Sequence, residues 1–433
     1  MRYLFLIITV LSMVNCKAIK ENSINNSSQK YTDTIQYKEL GIESHKICEV
    51  TKDLDLKGKV LPLPEGVTLK YSGGILKNGL IIGNDSKIES SCAIFRNISI
   101  QGTWKVPMIR SSIFFDCDDI NCLKNVFALT NPQINNRVVI EEGKYYVEAR
   151  KEGDVCLSIE TNTDVVLNGQ IILIPNSFNK CSIIKIEGKN VTLKGRGRLV
   201  GDKQTHTGFT GEWGMGLTIS NGRNVEVTGL TIKDCWGDCI YINQKSKDIA
   251  IDSCFLDNGR RQGISLIDAD GVAIRNCKIT NVGGTNPQYG IDLEPNSRNY
   301  VDNVVIENVT INNCVGGITT LGRKRNRKDI QIGSVEIRNC NISSTRRRPL
   351  NLRTCKKAVA ENCVIHSPGD VSAVYVEGID DLTLRNNEIT HDKSLLASAK
   401  RYYRAIRAGE NILPIQLKDC NTQKVRNNQV REK

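Results

Sequence analysis

Residues 251–258 read IDSCFLDN, 274–281 IRNCKITN, 306–313 IENVTINN, 337–344 IRNCNISS, 360–367 AENCVIHS and 384–391 LRNNEITH. Laid over one another they form two columns: Ser253, Asn276, Asn308, Asn339, Asn362 and Asn386, then Cys254, Cys277, Val309, Cys340, Cys363 and Asn387. VTGLTIKD (227–234) extends the stack backwards and VRNNQV (425–430) extends it forwards. The second column advances by 23, 32, 31, 23 and 24 residues, so a coil of about two dozen residues recurs and some coils carry inserts. A fixed period of this size with no helical periodicity inside it marks a β-solenoid.

A second short strand lies one turn before each Asn-Cys segment: GLTIS (216–220), CIYIN (239–243), GISLI (263–267), GIDLE (290–294), GITTL (317–321), PLNLR (349–353) and AVYVE (373–377). Alternation sends Ile240/Ile242, Ile264/Leu266 and Ile291/Leu293 inward. The outward columns are then Thr218, Tyr241, Ser265, Asp292, Thr319, Asn351, Tyr375 and Ser220, Asn243, Ile267, Glu294, Leu321, Arg353, Glu377. Parallel strands joined by short Gly and Asn turns predict an all-β chain, a right-handed parallel β-helix. The Asn column is expected to form an internal stack that satisfies turn backbone groups. Cys254, Cys277, Cys340 and Cys363 are expected as small buried thiols rather than a disulfide framework. No CxxC pair and no cysteine–histidine cluster suggests zinc.

The repeat covers 116–433. Residues 46–115 read as a less regular N-terminal β region, with LPLPEGVTLKYSGGILKNGLIIGNDSKI (61–88) alternating between Gly and Asn turns. DDINCLKNVFAL (118–129) predicts a short capping helix with an aspartate at its N-cap. The insert 392–414, which contains SLLASAKRYYRAIRAGEN, reads as helix-like and basic. Arg2, the apolar run Tyr3–Val14 and Cys16 predict a lipoprotein-type signal peptide over 1–16. Cys16 is the lipidation candidate, and polar residues 17–45 would form a flexible tether. The expected location is therefore the outer membrane or cell surface through an N-terminal lipid anchor, otherwise periplasmic or secreted. A formal net charge of +12 suits an acidic partner. For an exported chain that means a polyanionic glycan and no nucleic acid.

Unusual residues gather where four consecutive coils open: GEWGMG (211–216), CWGDC (235–239), NGRRQG (258–263) and QYGIDLEPN (288–296). Trp213 and Trp236, one coil period apart, could offer sugar rings a π-face. Glu212, Asp238, Asp292 and Glu294 supply carboxylates. Asp292 and Glu294 stand about 6.6 Å apart along one strand, and Asp238 lies two coils earlier, about 10 Å along the axis. Those spacings bracket what an inverting glycoside hydrolase needs between acid and base. Arg260 and Arg261 fall inside the same coils. The runs Arg323–Arg325, Arg327–Lys328 and Arg346–Arg348, with Arg353, follow on later coils, and Arg suits bidentate carboxylate contact.

The strings GEWG, WGDCIYI, NGRRQGISL and YGIDLEPN resemble the pectate-lyase-like superfamily of right-handed β-helix proteins, particularly bacterial surface proteins. Gly237-Asp238-Cys239-Ile240 and Arg261-Gln262-Gly263-Ile264-Ser265 are more distantly similar to polygalacturonase-type glycoside hydrolases. Here a single Asp precedes Cys239, Gln262 stands where that family has His, and no upstream Asn-Thr-Asp or later Arg-Ile-Lys occurs. The resemblance implies a carbohydrate-active protein that cleaves an acidic polysaccharide as hydrolase or lyase. In a hydrolase, Asp292 or Glu294 would work as acid or base against Asp238, with Arg260 and Arg261 on an anionic group. In a lyase, an arginine or Tyr289 would abstract the proton. Glu212, Trp213, Trp236, Gln262 and Tyr289 complete the expected substrate contacts. No metal ligand set is expected. Calcium enters only because related lyases use it, and no calcium-loop spacing occurs. The competing reading is a non-catalytic glycan-binding or adhesive β-helix using the tryptophans as a platform.

Overall fold

A computed structural model describes Ile35 and residues 46–115, 117, 120–322, 330–392 and 412–432. The chain winds through three long parallel sheets of 12, 11 and 10 strands. One coil shows the plan. Ile240–Asn243 belongs to the 10-stranded sheet, Ser246–Asp252 to the 12-stranded sheet and Phe255–Asp257 to the 11-stranded sheet. The chain then returns to the first sheet as Ile264–Leu266, which pairs with the strand it left in the register Ile240↔Ile264, Tyr241↔Ser265, Ile242↔Leu266. The architecture is the right-handed parallel β-helix that the repeat predicts.

Ile240, Ile242, Ile264, Leu266, Ile291 and Leu293 are fully buried, so the alternation is obeyed on the inner side. Each such side chain contributes about 1.5–3 kcal/mol by leaving water. Cys254, Cys277, Cys340 and Cys363 are buried free thiols. The Cys277 thiol is pushed up, first by its hydrogen bond with Cys254 and then by burial, so it stays protonated. One disulfide, absent from the expectation, joins Cys117 to Cys122.

The asparagine column departs from expectation. Ser253, Asn276, Asn308, Asn339, Asn362 and Asn386 all adopt left-handed backbone, with φ between 52° and 57°. Their residues are exposed, and the ladder runs along the outside: Asn308 Nδ2 donates to Asn276 Oδ1 at 2.7 Å and Asn386 Nδ2 to Asn362 Oδ1 at 3.3 Å. A sharp bend needs positive φ, which Asn tolerates better than most residues, and this requirement aims its amide away from the core. The internal asparagines instead occupy the cysteine column. Asn387 Nδ2 donates to the Ala360 carbonyl at 2.9 Å, and its Oδ1 accepts from the Cys363 N–H at 2.9 Å. Asn428 fills the same role in the next coil, donating to the Leu384 carbonyl at 3.0 Å.

Upstream, Ile47–Val50, Leu54–Pro62, Thr68–Tyr71, Leu76–Glu89 and Phe95–Trp104 form a separate five-stranded sheet. Met108–Arg110 opens the 12-stranded sheet. The helix Cys122–Ala128 buries Cys122, Leu123, Val126 and Phe127. Asn121, not an aspartate, holds its N-cap position, with no capping side-chain bond. Asn121 accepts instead from Arg150 at 2.9 Å. Asp118, the signal peptide with Cys16, the tether apart from Ile35, the basic run 323–328 and residues 393–411 of the insert lie outside the described residues.

Replacing Asn308 by alanine puts a Cβ-bearing residue without a local acceptor into left-handed backbone, a cost of about 1–2 kcal/mol. Glycine there loses only the ladder bond. Asn308→Ala is expected to lower the thermal midpoint more than Asn308→Gly, measured by circular dichroism. The reverse order would contradict the account.

Candidate functional site

The 10-stranded sheet carries the candidate site because its strands align one outward row. Thr218, Tyr241, Ser265, Asp292, Thr319, Asn351 and Tyr375 stand in register on seven successive strands. A second row forms where the coils open onto this sheet. The Gly216 N–H bonds the Asp238 carbonyl, that of Cys239 bonds Gln262, and that of Gly263 bonds Tyr289, so Asp238, Gln262 and Tyr289 stack in sequence. Side chains far apart in the chain thereby meet.

Arg261 is the centre. Its Nη1 donates to Asp238 Oδ2 at 3.0 Å and Oδ1 at 3.3 Å, its Nε donates to Glu212 Oε2 at 3.2 Å, and its Nη2 lies 3.8 Å from Glu294 Oε2. Burial works against the charge on Arg261. The carboxylates of Asp238, Asp292, Glu294 and Glu212 outweigh it and hold the guanidinium more firmly protonated. Ser265 Oγ donates to Asp238 Oδ2 at 2.7 Å. Sequence reasoning placed Ser265 in the outward row without assigning it a role, because a serine there carries no motif.

Asp238, expected at an accessible loop edge, is 0% exposed. Burial pushes its carboxyl up to about 6, against the opposing pull of Arg261 and Ser265. Asp292, expected to face outward, is 2% exposed, since its neighbours in the row close over it. Its Oδ2 accepts from Gln262 Nε2 at 2.5 Å, while Gln262 Oε1 accepts the Tyr289 N–H at 2.7 Å. Gln262 is fully buried and serves as a clamp between two coils. Among the described residues Asp292 Oδ1 makes no hydrogen bond. Burial, then the neighbouring Glu294 charge, holds the Asp292 carboxyl well above the usual carboxylate range. Two such close groups resist ionising together. The reachable carboxylates are Glu294 and Glu212, with side chains about one third and nearly half exposed.

The structure does not bring Arg260 to the carboxylates. Its guanidinium lies 3.8 Å over the Trp236 ring and its Nη1 donates to the Gly211 carbonyl at 2.6 Å. His206 stacks on the same indole with centroids 3.9 Å apart. Trp236 is therefore held by protein groups and is not the open platform that its position suggests. Gly214 makes room for it, since a Cβ there would lie 2.7 Å from the Trp236 Cβ. Trp213 is 45% exposed, and Phe209, which sequence reasoning passed over, is 95% exposed on the loop before it. Tyr289 is buried, and burial raises its hydroxyl above the usual range despite the Arg347 charge nearby. Among the described residues no group of three or more His, Cys, Asp and Glu is arranged to hold a metal ion.

Residues 165–332 match the family described as right handed beta helix region. The uncharacterized protein YclG of Bacillus subtilis is 29% identical over 210 residues, covering 41% of this chain and 36% of that one. The SPbeta prophage-derived uncharacterized protein YorA, also of Bacillus subtilis, is 30% identical over 171 residues, covering 33% and 29%. The matches thus span about a third of each of these relatives. Among solved structures, the A-module of Azotobacter vinelandii mannuronan C-5 epimerase AlgE6 superposes with a TM-score of 0.52 at 13% identity, covering 73% of this chain and 83% of that one. The Dettilon tailspike protein gives 0.54 at 13% identity, covering 75% and 62%. At that identity the likeness is one of fold. The chain has the fold of a right-handed parallel β-helix protein.

A carboxyl pushed up in the folded state keeps its proton while the unfolded chain releases it. Stability from Asp238 is thus fully present below about pH 4 and falls as pH rises through about 6. The loss is on the order of 3 kcal/mol, and Asp292 adds in the same direction. Thermal midpoints measured from pH 4 to 7 should decline, and Asp238→Asn should make the decline shallower. An unchanged slope in that variant would contradict the burial argument.

Proposed function

We propose that this face cleaves an anionic polysaccharide by acid–base chemistry. The observation that carries the reading is the convergence of four carboxylates from three coils around one largely covered guanidinium, with the proton-retaining Asp292 beside Glu294. Cleaving a glycosidic bond needs a group that donates a proton to the leaving oxygen and another that accepts one from the attacking molecule. The Asp292–Glu294 pair, in which the raised Asp292 carboxyl keeps its proton, forms the donor side of the site, with Glu294 as the member that meets the sugar. Glu212, held by Arg261 Nε, is the acceptor. Asp238 is moved from a reacting role to a positioning one, because it is fully buried and occupied by Arg261 and Ser265. Trp213 and Phe209 offer exposed rings to neighbouring sugars. The same two rings favour the second reading, a glycan-binding protein without turnover.

The proposal extends to location. Arg2, the apolar run and Cys16 support export and a lipid-anchored, cell-surface or outer-membrane protein. Under that reading Cys16→Ala moves the protein out of the membrane fraction.

Purified protein incubated with a panel of uronate-containing, sulfated and neutral polysaccharides should release fragments from an anionic member. Glu294→Gln and Glu212→Gln should each lower kcat roughly 10²–10⁴-fold and leave binding within a few-fold. Fragments that absorb in the ultraviolet would identify elimination, and fragments that do not would identify hydrolysis. Binding without fragments from any polysaccharide would establish the second reading. Wild-type rates in both variants would remove these carboxylates from the chemistry.

A further inference from the structure

Beside the coil that carries Asp292 lies a cavity of about 360 Å³ lined by Asn286, Gln288, Arg346 and Arg347. Its volume falls in the range of small-ligand sites. Gln288 directly precedes the strand Tyr289–Leu293, so the cavity is within about 13 Å of Asp292 along that strand. Its walls are built from backbone anchors. The N–H groups of Arg346 and Arg347 both donate to the Val315 carbonyl, at 3.2 and 2.7 Å. Ser344 Oγ donates to the Arg347 carbonyl at 2.5 Å. Gln288 Oε1 accepts the Gly284 N–H at 3.0 Å, and its Nε2 donates to Asn286 Oδ1 at 2.9 Å. Arg347 Nη2 donates to the same Oδ1 at 2.9 Å, with its guanidinium 5.8 Å from the Tyr289 ring centre.

The contrast with Arg261 gives the cavity its meaning. Arg261 has three carboxylates within ion-pair distance and has no charge left for an anionic ligand. Among the described residues no carboxylate pairs with Arg347, whose side chain meets an amide oxygen and an aromatic ring. A guanidinium carries five N–H donors in a fork that fits a carboxylate or sulfate. The cavity stands about 13 Å from Asp292 along the strand, so an anionic chain held there reaches the carboxylates through a different sugar residue.

We propose that this cavity is an anion-binding subsite for the carboxylate or sulfate of a sugar residue, with Arg347 as the principal contact and Arg346 as the second. The inference rests on the polysaccharide reading of the sheet but not on cleavage. The test uses the full chain carrying Glu294→Gln, so that binding is read without turnover, and calorimetry with three hexasaccharides: uronate, sulfated and neutral. At least one anionic ligand should bind. Adding Arg347→Gln should weaken it at least about tenfold and flatten its dependence on salt, while Arg347→Lys recovers some of the loss. The neutral ligand should change less than about twofold, as the added variant removes no neutral contact. Arg346→Gln, at an exposed position, gives a second, smaller loss that does not depend on how Arg347 packs. The ligand that loses affinity identifies carboxylate or sulfate as the group. No anionic binding, unchanged anionic affinity, or equal losses for charged and neutral ligands would overturn the subsite. An Arg347-dependent anion affinity in a protein that cleaves nothing leaves the subsite standing and removes the cleavage reading. Cleavage of neutral glycans with no Arg347 effect does the opposite.

Discussion

Parallel pairing in constant register stacks the coils about 4.8 Å apart, and that spacing organises the molecule. Each strand hydrogen-bonds to the strand one coil before and one coil after, so a side chain finds its neighbours about two dozen residues away in the sequence. The inner rows become continuous walls of Ile, Leu and Val closed by buried cysteines. The outer rows become equally continuous, and a polar group placed there is flanked above and below. This is why Asp292 and Ser265, on the outside of their strands, are as inaccessible as core residues. Burial on the sheet face in turn holds the Asp292 carboxyl above the usual carboxylate range, so the fold sets its protonation.

The Arg261 cluster is the main electrostatic consequence. A buried ion pair gains from Coulomb attraction but loses hydration, and it holds only where the remaining atoms are satisfied. Here Asp238 takes two contacts from Arg261 and one from Ser265, and the guanidinium reaches three carboxylates on three other coils. Removing one member leaves another charge buried and unpaired, which makes the cluster sensitive to substitution. It also divides the labour of the face. In the proposed reading the buried groups fix positions, the partly exposed carboxylates react, and Arg347 supplies the positive charge that Arg261 no longer has to offer.

The period was legible because it is written in residue types that the turn and the core demand. Asn recurs where φ is positive and Cys recurs where a small apolar group must fit. The coil openings were legible for the same reason: once the ruler was set, Glu212, Asp238, Arg261 and Asp292 fell on successive turns. What could not be read was direction. Whether Arg260 or Arg261 turns to the carboxylates depends on the loop 202–212, where His206 and Trp236 form the stack that captures Arg260. Alternation also separates inward from outward without telling which outward groups their neighbours cover, and so misjudged Asp238 and Asp292. The side on which the asparagines lie followed from backbone φ, which a column of letters does not contain.

The central claim is that a glycan lies across the 10-stranded sheet with its scissile bond at Glu294 and Glu212. A crystal structure of the Glu294→Gln variant with an anionic oligosaccharide tests it most directly. The account predicts the glycosidic oxygen within hydrogen-bond reach of residue 294 and the chain running over the sheet towards Arg347. An oligosaccharide seated on the 11- or 12-stranded sheet, or along the exposed asparagine ladder, would contradict it.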